Sequence, residues 1–243
     1  MVVDAFRSDI ESLGLALDER QLEAFGLYRD LILEAAARFN LTAVREAREI
    51  ERRHFLEALW LGQELARLGV IATTRDCRVI DIGSGAGLPG IPLKIAWPWL
   101  HMSLLESNEK RCRFLREAIR RLGLDGVEVL EGRAEVWARE PGHRDRYDLA
   151  IARAVAPLPV LLEYSLPFVR EGGLLAAQKG SAAPREIAAS GAALRELRGE
   201  IEYAGAFEPP GGARQTLLLV RKLGPTPERY PRRPGIPAKR PIA

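Results

Sequence analysis

In Val79-Ile80-Asp81-Ile82-Gly83-Ser84-Gly85-Ala86-Gly87-Leu88-Pro89-Gly90, a β-branched apolar run ends in a carboxylate, glycines follow at alternate positions, and an apolar helical pattern begins at Leu88. The stretch reads as strand, tight loop and helix. Glycine lets the backbone turn sharply and lets a ligand approach with no Cβ in the way, while the first free N–H groups of the helix face the same space. That is the geometry of a nucleotide cradle.

Gly85-Ala86-Gly87-Leu88-Pro89-Gly90 satisfies G-x-G-x-x-G, which suggests a dinucleotide. Two residues argue otherwise. Asp81 directs an anion at the crevice where a pyrophosphate needs donors, and Pro89 removes one N–H from the helix start. A cationic ligand without phosphate suits the loop better, and S-adenosylmethionine, with its ammonium and sulfonium, is such a ligand. Asp81, Gly83, Gly85 and Leu88 are the candidate contacts to its amino-acid end. Outward from the loop, His101-Met102-Ser103-Leu104-Leu105 reads as a short strand ending at Glu106, about 20 residues after the glycines, where an acidic residue takes ribose hydroxyls. A solvated carboxylate at a strand end is the alternative for Glu106. Its register with the glycines favours an adenosine site, with Ser107 and Asn108 beside it.

The chain has 243 residues, 47% hydrophobic and 28% charged, enough for one good-sized core with a subdomain. The first residues lack a basic start followed by an apolar segment, and no apolar run approaches the length of a membrane span. A cytoplasmic protein with no membrane contact is expected. Cys77 and Cys112 match no metal or redox spacing and read as buried free thiols, and no metal site is expected. Net charge is +3, and beyond Gly224 five cations, Arg229, Arg232, Arg233, Lys239 and Arg240, oppose only Glu228.

After a joint at 69–76, the pattern alternates: strand 78–82, helix 88–96, strand 101–105, helix 108–122, strand 126–130, strand 147–151, helix 157–169 and strand 173–178. Alternation at these lengths predicts a parallel sheet with crossover helices. A helix over 183–197, strands over 200–207 and 215–220, and the turn Pro209-Pro210-Gly211-Gly212 between them predict an antiparallel edge. Residues 1–68 look helical, with a capping pair at Asp18 and Gln21 and a second helix over 46–68, and form a cap on one sheet edge. The expected divisions are a helical cap over 1–74, a central domain over 75–223 and a basic, proline-rich tail over 224–243. After the third strand, Ala134 and Glu135 are candidates for the adenine edge; alternatively Glu135 simply favours a helix start.

The end of the fourth strand is where a transferred methyl meets its acceptor. The chain lacks the polar residue followed by Pro-Pro-aromatic that suits an exocyclic amine, and neither cysteine falls where attack on a pyrimidine carbon needs one. An acceptor already nucleophilic remains, and an endocyclic purine nitrogen qualifies with no general base. Arg153 then orients the base or binds the cofactor's carboxylate, with a structural ion pair as the alternative.

Asn40-Leu41-Thr42, Arg53-His54, the loop from Ile82 to Pro92, Leu105-Glu106-Ser107, Lys110-Arg111-Cys112-Arg113-Phe114-Leu115, Arg153-Ala154 and Lys179-Gly180 together resemble the glucose-inhibited division protein B family. The resemblance spans nearly the whole chain. It implies a Rossmann-like class I S-adenosylmethionine-dependent methyltransferase fold, α/β, with a mainly parallel sheet, an antiparallel edge strand and an N-terminal helical cap. It also implies transfer of methyl to a guanine N(7) in the decoding-site loop of 16S ribosomal RNA in the small ribosomal subunit, leaving S-adenosylhomocysteine. Glu106 is often aspartate in relatives, and either carboxylate can hold the ribose.

For RNA, Arg113 and Arg116, with Arg120, form a helical stripe after the cofactor loop, and Arg111 begins the same helix. His54, Lys179, Arg232 and Arg233 are further candidate contacts, and Tyr230 is placed to stack on a base. Each has a structural alternative: a satisfied histidine, a solvated stripe, a solubility tail. A nicotinamide oxidoreductase and a non-catalytic ribosome-binding protein are the competing functions, disfavoured by Asp81 with Pro89 and by the intact loop with Glu106 respectively. A chain with one core is expected to be a monomer.

Overall fold

A computed structural model describes residues 2–71, 76–208 and 214–242. Helices α1 (Val2–Ser12) and α2 (Glu19–Arg38) come first. The expected capping box forms: the Gln21 N–H donates to the Asp18 carboxylate at 2.8 Å, and the Asp18 N–H to the Gln21 side-chain oxygen at 2.9 Å. The helix expected over 46–68 is instead three segments, α3 (Ala47–Ile50), a π-helical turn (Glu51–Phe55) and α4 (Leu56–Arg67). In the π turn the Leu56 N–H donates to the Glu51 carbonyl, one residue further back than in an α-helix.

The remaining chain is β1 (Cys77–Ile82), α5 (Gly90–Ala96), β2 (Leu100–Glu106), α6 (Glu109–Leu122), β3 (Val127–Glu131), α7 (Ala134–Trp137) and β4 (Tyr147–Arg153). Then follow α8 (Leu158–Ser165), β5 (Val169–Lys179), α9 (Ala183–Ala188), α10 (Gly191–Glu196), β6 (Gly199–Phe207), β7 (Gln215–Lys222) and α11 (Ile236–Lys239). The strands form a seven-stranded sheet in the order β3-β2-β1-β4-β5-β7-β6. Pairs from β3 to β5 are parallel, and β7 is antiparallel to both β5 and β6, as the alternation predicted. The Pro209–Gly212 turn lies outside the described residues, as do 72–75 in the joint.

Two boundaries differ for local reasons. Residues 84–89 are turns in which the Gly87 and Leu88 N–H groups both donate to the Ser84 carbonyl, so α5 starts at Gly90 rather than at 88. The helix expected over 183–197 is split at Ser190, whose hydroxyl donates back to the Glu186 carbonyl at 2.7 Å just before Gly191, two poor interior helix residues in succession.

The cap and the tail each share a core with the sheet. On one face, Phe6, Phe25, Tyr28 and Phe55 of the cap pack together and continue into Val79, Ile91 and Leu104. On the other, Tyr230 and Ile242 of the tail join Tyr147, Leu162 and Val220. Cap and tail thus pack on opposite faces of one sheet. Where α4 crosses α5, a Cβ added to Gly62 would stand 2.3 Å from the Trp97 ring and 2.7 Å from Leu93. Gly62→Val is expected to lower the unfolding free energy by about 2–3 kcal/mol, the cost of overpacking a filled site. Urea unfolding checks this; a midpoint at or above that of the parent would overturn the packing.

Candidate active site

In this strand order the crossovers leave β1 and β4 on opposite sides, so their carboxyl ends open a crevice between them. Gly83, Glu106, Ser107, Ala134, Val155 and Tyr164 line a cleft of about 90 Å³ there. A larger hollow of about 520 Å³ beside Asp148, Arg170 and Arg221 lies at the amino ends of the strands, away from the glycine loop.

Gly83, Gly85 and Gly87 have φ of +69°, +61° and +88°, a region L side chains rarely enter. A Cβ at Gly87 would stand 2.5 Å from Ile91, whereas at Gly85 the nearest atom is the Gly83 carbonyl oxygen at 3.9 Å, so a side chain there would project into open space. The loop is pinned from above by Tyr28 of α2, whose hydroxyl donates to the Ala86 carbonyl at 2.5 Å. Beneath it lies Asp81. Its side chain is fully buried and accepts the Gly90 N–H at 3.0 Å through Oδ2, which corrects the expectation that it projects into the crevice. Alternation along β1 turns it under the loop instead. Asp81 Oδ1 has no donor among the described residues. Burial pushes its pKa up to about 7, against the opposing pull of the Gly90 N–H and the Arg153 charge.

Glu106 ends β2 as expected, and its carboxylate organises the loops around it. Oε1 accepts the Ser107 and Asn108 N–H groups at 2.7 and 2.8 Å, and Oε2 accepts the Gly85 N–H at 3.0 Å. Arg111 stands 3.7 Å away. A carboxylate offers about four acceptor positions, so room for a ribose hydroxyl remains. The Asn108 side chain caps α6 by accepting the Arg111 N–H at 3.2 Å. Leu88 is buried in the core with Ala86, a supporting position. Glu135 lies in the first turn of α7, its carboxylate accepts the Gly235 N–H of the tail at 2.9 Å, and both Ala134 and Glu135 line the cleft.

At the end of β4, Arg153 is drawn toward the cap. Its guanidinium lies 3.5 Å from the buried Glu57 carboxylate and donates to the Arg53 carbonyl at 3.4 Å. Gln215 donates to the other oxygen of Glu57 at 2.9 Å. His54 is enclosed in the same cluster. Its Nδ1 lies 3.0 Å from the Arg53 carbonyl and 3.4 Å from the Arg153 guanidinium, and Nε2 lies 3.2 Å from the Thr42 hydroxyl. Burial, then the Arg153 charge, lowers its pKa to about 4. His54 is thus a neutral member of the acceptor end, not a cation presented to phosphate. The π turn places Arg53 and His54 here, a detail the sequence pattern missed, as it missed Tyr28, Glu57 and Tyr164.

Several expected RNA contacts are already committed. Lys179 is buried, ion-paired with Glu186 at 2.7 Å and donating to the Ala156 carbonyl at 2.7 Å. Along α6, Arg113 pairs with Glu109 at 3.3 Å, Arg116 with Glu131 at 2.8 Å and Arg120 with Glu117 at 2.7 Å, so the stripe is laced with carboxylates. The tail is a strap. Arg232 forks onto the buried Glu163 carboxylate at 2.6–3.1 Å, and Tyr230, expected to stack on a base, is buried against the core. Arg233 remains exposed.

Comparison with known proteins fits this geometry. Residues 21–204 match the GidB family model, described as rRNA small subunit methyltransferase G. The chain is 45% identical to "Ribosomal RNA small subunit methyltransferase G" of Roseiflexus castenholzii, covering 95% of this chain and 96% of the relative. It is 43% identical to the protein of that name from Symbiobacterium thermophilum over the whole of both chains. Among solved structures, a putative sarcosine dimethylglycine methyltransferase from Galdieria sulphuraria aligns at TM-score 0.55 and 16% identity, covering 73% of this chain and 88% of that one. A variant of MtNAS in complex with S-adenosylmethionine aligns at TM-score 0.54 and 20% identity, covering 91% of this chain and 77% of that one. The fold is that of class I S-adenosylmethionine-dependent methyltransferases.

The residues present fit such a cofactor. Among the described residues a fully buried carboxylate oxygen, Asp81 Oδ1, has no donor, and open space faces Gly85. A cation bound nearby favours ionised Asp81, so binding below pH 7 releases a proton. Affinity for S-adenosylmethionine is therefore expected to rise from pH 5.5 and to level off as Asp81 ionises at about 7. Calorimetric titration across this range checks the sign. Asp81→Asn is expected to weaken binding and flatten the profile; an unchanged profile would remove Asp81 from the site.

Proposed function

The chain belongs to the rRNA small subunit methyltransferase G family, and from that premise we propose that it methylates N(7) of a guanine in the decoding-site loop of 16S ribosomal RNA, with S-adenosylmethionine as donor. The observation that carries this reading is the pairing of the glycine loop with Glu106, joined by the Gly85 N–H on the Glu106 carboxylate. When bound, S-adenosylmethionine supplies a methyl group made electrophilic by its sulfonium. Gly85 would face its amino-acid end, with Asp81 buried beneath the loop as a nearby negative charge, Glu106 would face its ribose, and Ala134 with Tyr164 its base.

Guanine N(7) carries no proton and its lone pair lies in the ring plane, so the protein has to place it and not deprotonate it. Positive charge develops on the base during transfer, and a bare cation against it would oppose the reaction. The acceptor end meets that demand. Glu57 balances the charge of Arg153, and His54 is held neutral. Arg153 thus orients a base or the cofactor carboxylate without adding net charge at the reacting atom.

Among the described residues no helix is long and apolar enough to cross a membrane. The exposed large hydrophobic residues among those described are Val136 and Leu223. That sparse apolar surface supports a monomer, and a ribosomal substrate supports action in the cytoplasm.

Transfer of radiolabelled methyl from S-adenosylmethionine to small subunits from a strain lacking the gene is expected to label 7-methylguanosine at one position of 16S RNA. Label in another nucleoside would overturn the acceptor assignment. No transfer despite bound cofactor would overturn the enzyme. Gly85→Arg, projecting into the open crevice, is expected to abolish cofactor binding in a protein that unfolds cooperatively like the parent; unchanged affinity would sink the cradle assignment.

A further inference from the structure

Once the cations already held by carboxylates are set aside, one concave surface stands out beside the crevice. The end of α2 and the start of α6 enclose a groove of about 590 Å³ lined by Arg38, Phe39, Asn40, Asn108, Lys110 and Arg111. No carboxylate lines it. Arg38 and Lys110 are exposed and form no ion pair among the described residues, in contrast with Arg113, Arg116 and Arg120 on the same helix face as the expected stripe. Arg111 contributes a third cation, tethered loosely to Glu106 at 3.7 Å.

The groove adjoins the crevice through two loops, the one after α2 and the one between β2 and α6. Asn108 donates its N–H to Glu106, the residue placed at the ribose. From Asn40 the chain runs directly to Thr42, whose hydroxyl meets His54 beside Arg153 at the acceptor end. A strand lying in the groove therefore passes along the lip of the site. Unpaired cations can neutralise phosphates, and so release the polyanion's condensed counterions, without first breaking an internal ion pair, whereas a laced stripe must exchange one partner for another. Asn40 and Asn108 add uncharged donors suited to phosphate oxygens, and neither they nor the two unpaired cations read base identity.

We propose that this groove grips the phosphodiester backbone of the substrate RNA strand flanking the methylated nucleotide, with Arg38 and Lys110 as its principal phosphate contacts. This rests on ribosomal RNA being the substrate, and it adds a site that holds the strand separately from the crevice that holds cofactor and base. The expected signature is an effect on RNA affinity and its salt dependence, without one on the cofactor.

The test compares the parent with Arg38→Glu, Lys110→Glu and the double variant. S-adenosylmethionine affinity, binding to a 16S ribosomal RNA fragment over a salt series, and methyl transfer to small subunits are measured for each. Arg20→Glu serves as control, since it makes the same charge change at the opposite end of α2, about 27 Å away at 1.5 Å per residue over eighteen residues. In the double variant, KM for subunits is expected to rise about tenfold or more, and the log–log salt slope of RNA binding to flatten by about 1.4–1.8 for two lost phosphate contacts. Cofactor affinity and Arg20→Glu are expected to match the parent. Slope and KM unchanged in the double variant would overturn the proposal, as would an equal effect from Arg20→Glu or a loss of cofactor affinity. Absence of methyl transfer by the parent would instead overturn the substrate assignment, and the RNA-binding slope still decides the groove.

Discussion

One carboxylate, shut away from water, sets the geometry of the site. Asp81 spends an oxygen on the Gly90 N–H and so fixes the point where the glycine loop becomes a helix. Nothing larger than glycine fits at that point, because a Cβ on Gly90 would stand 2.8 Å from Asp81 Oδ2 and 2.6 Å from Leu104. With Glu106 accepting the Gly85 N–H and Tyr28 donating to Ala86, the loop is held from below, from the side and from above. A loop fixed at three points presents its open face in one conformation, and the ordering cost of a ligand that enters falls accordingly. Burial keeps Asp81 poised between charge states, so the same residue that shapes the loop couples it to the charge of what binds.

Much of this was legible in the sequence because the signals are local. The glycines, the carboxylates ending β1 and β2, and the alternation of strand and helix are patterns within a few residues, and they led to a mainly parallel sheet with an antiparallel edge, while the strand order itself came only from the structure. The availability of a cation is not local. Lys179 is held by Glu186 seven residues on, Arg116 by Glu131 across to the next strand, and Arg232 by Glu163 on a helix 69 positions earlier. A run of arginines looks the same whether or not carboxylates are folded against it. The π turn escaped for another reason: its trace is one five-residue step between buried apolar residues, Ile50 to Phe55, too small a break to divide the pattern, so 46–68 reads as a single helix.

The cap does more than cover a sheet edge. Phe25, Tyr28 and Phe55 stack into the core, and the same helices carry Glu57, Arg53 and His54 to the end of β4. Glu57 is buried, and its charge is tolerable because Arg153 and Gln215 answer it. Removing either partner would leave an uncompensated carboxylate in the core, so cap and sheet are locked in register by the same contacts that balance charge at the acceptor end. Packing and chemistry here constrain each other.

The basic residues divide by their partners. Arg232 of the tail and Arg116 of α6 tie Glu163 and Glu131 to neighbouring elements, and Arg120 pairs with Glu117 along α6 itself. Such pairs set geometry, and where they are exposed they add little stability. Arg38 and Lys110 have no such duty, and they stand where the cap meets the helix that follows the ribose carboxylate. A polyanion is attracted by the net field of the surface, yet it is held in register only by cations free to point at it. The chain's modest net charge of +3 is thus a poor guide to its affinity for RNA: the position of Arg38 and Lys110 beside the crevice gives them their effect.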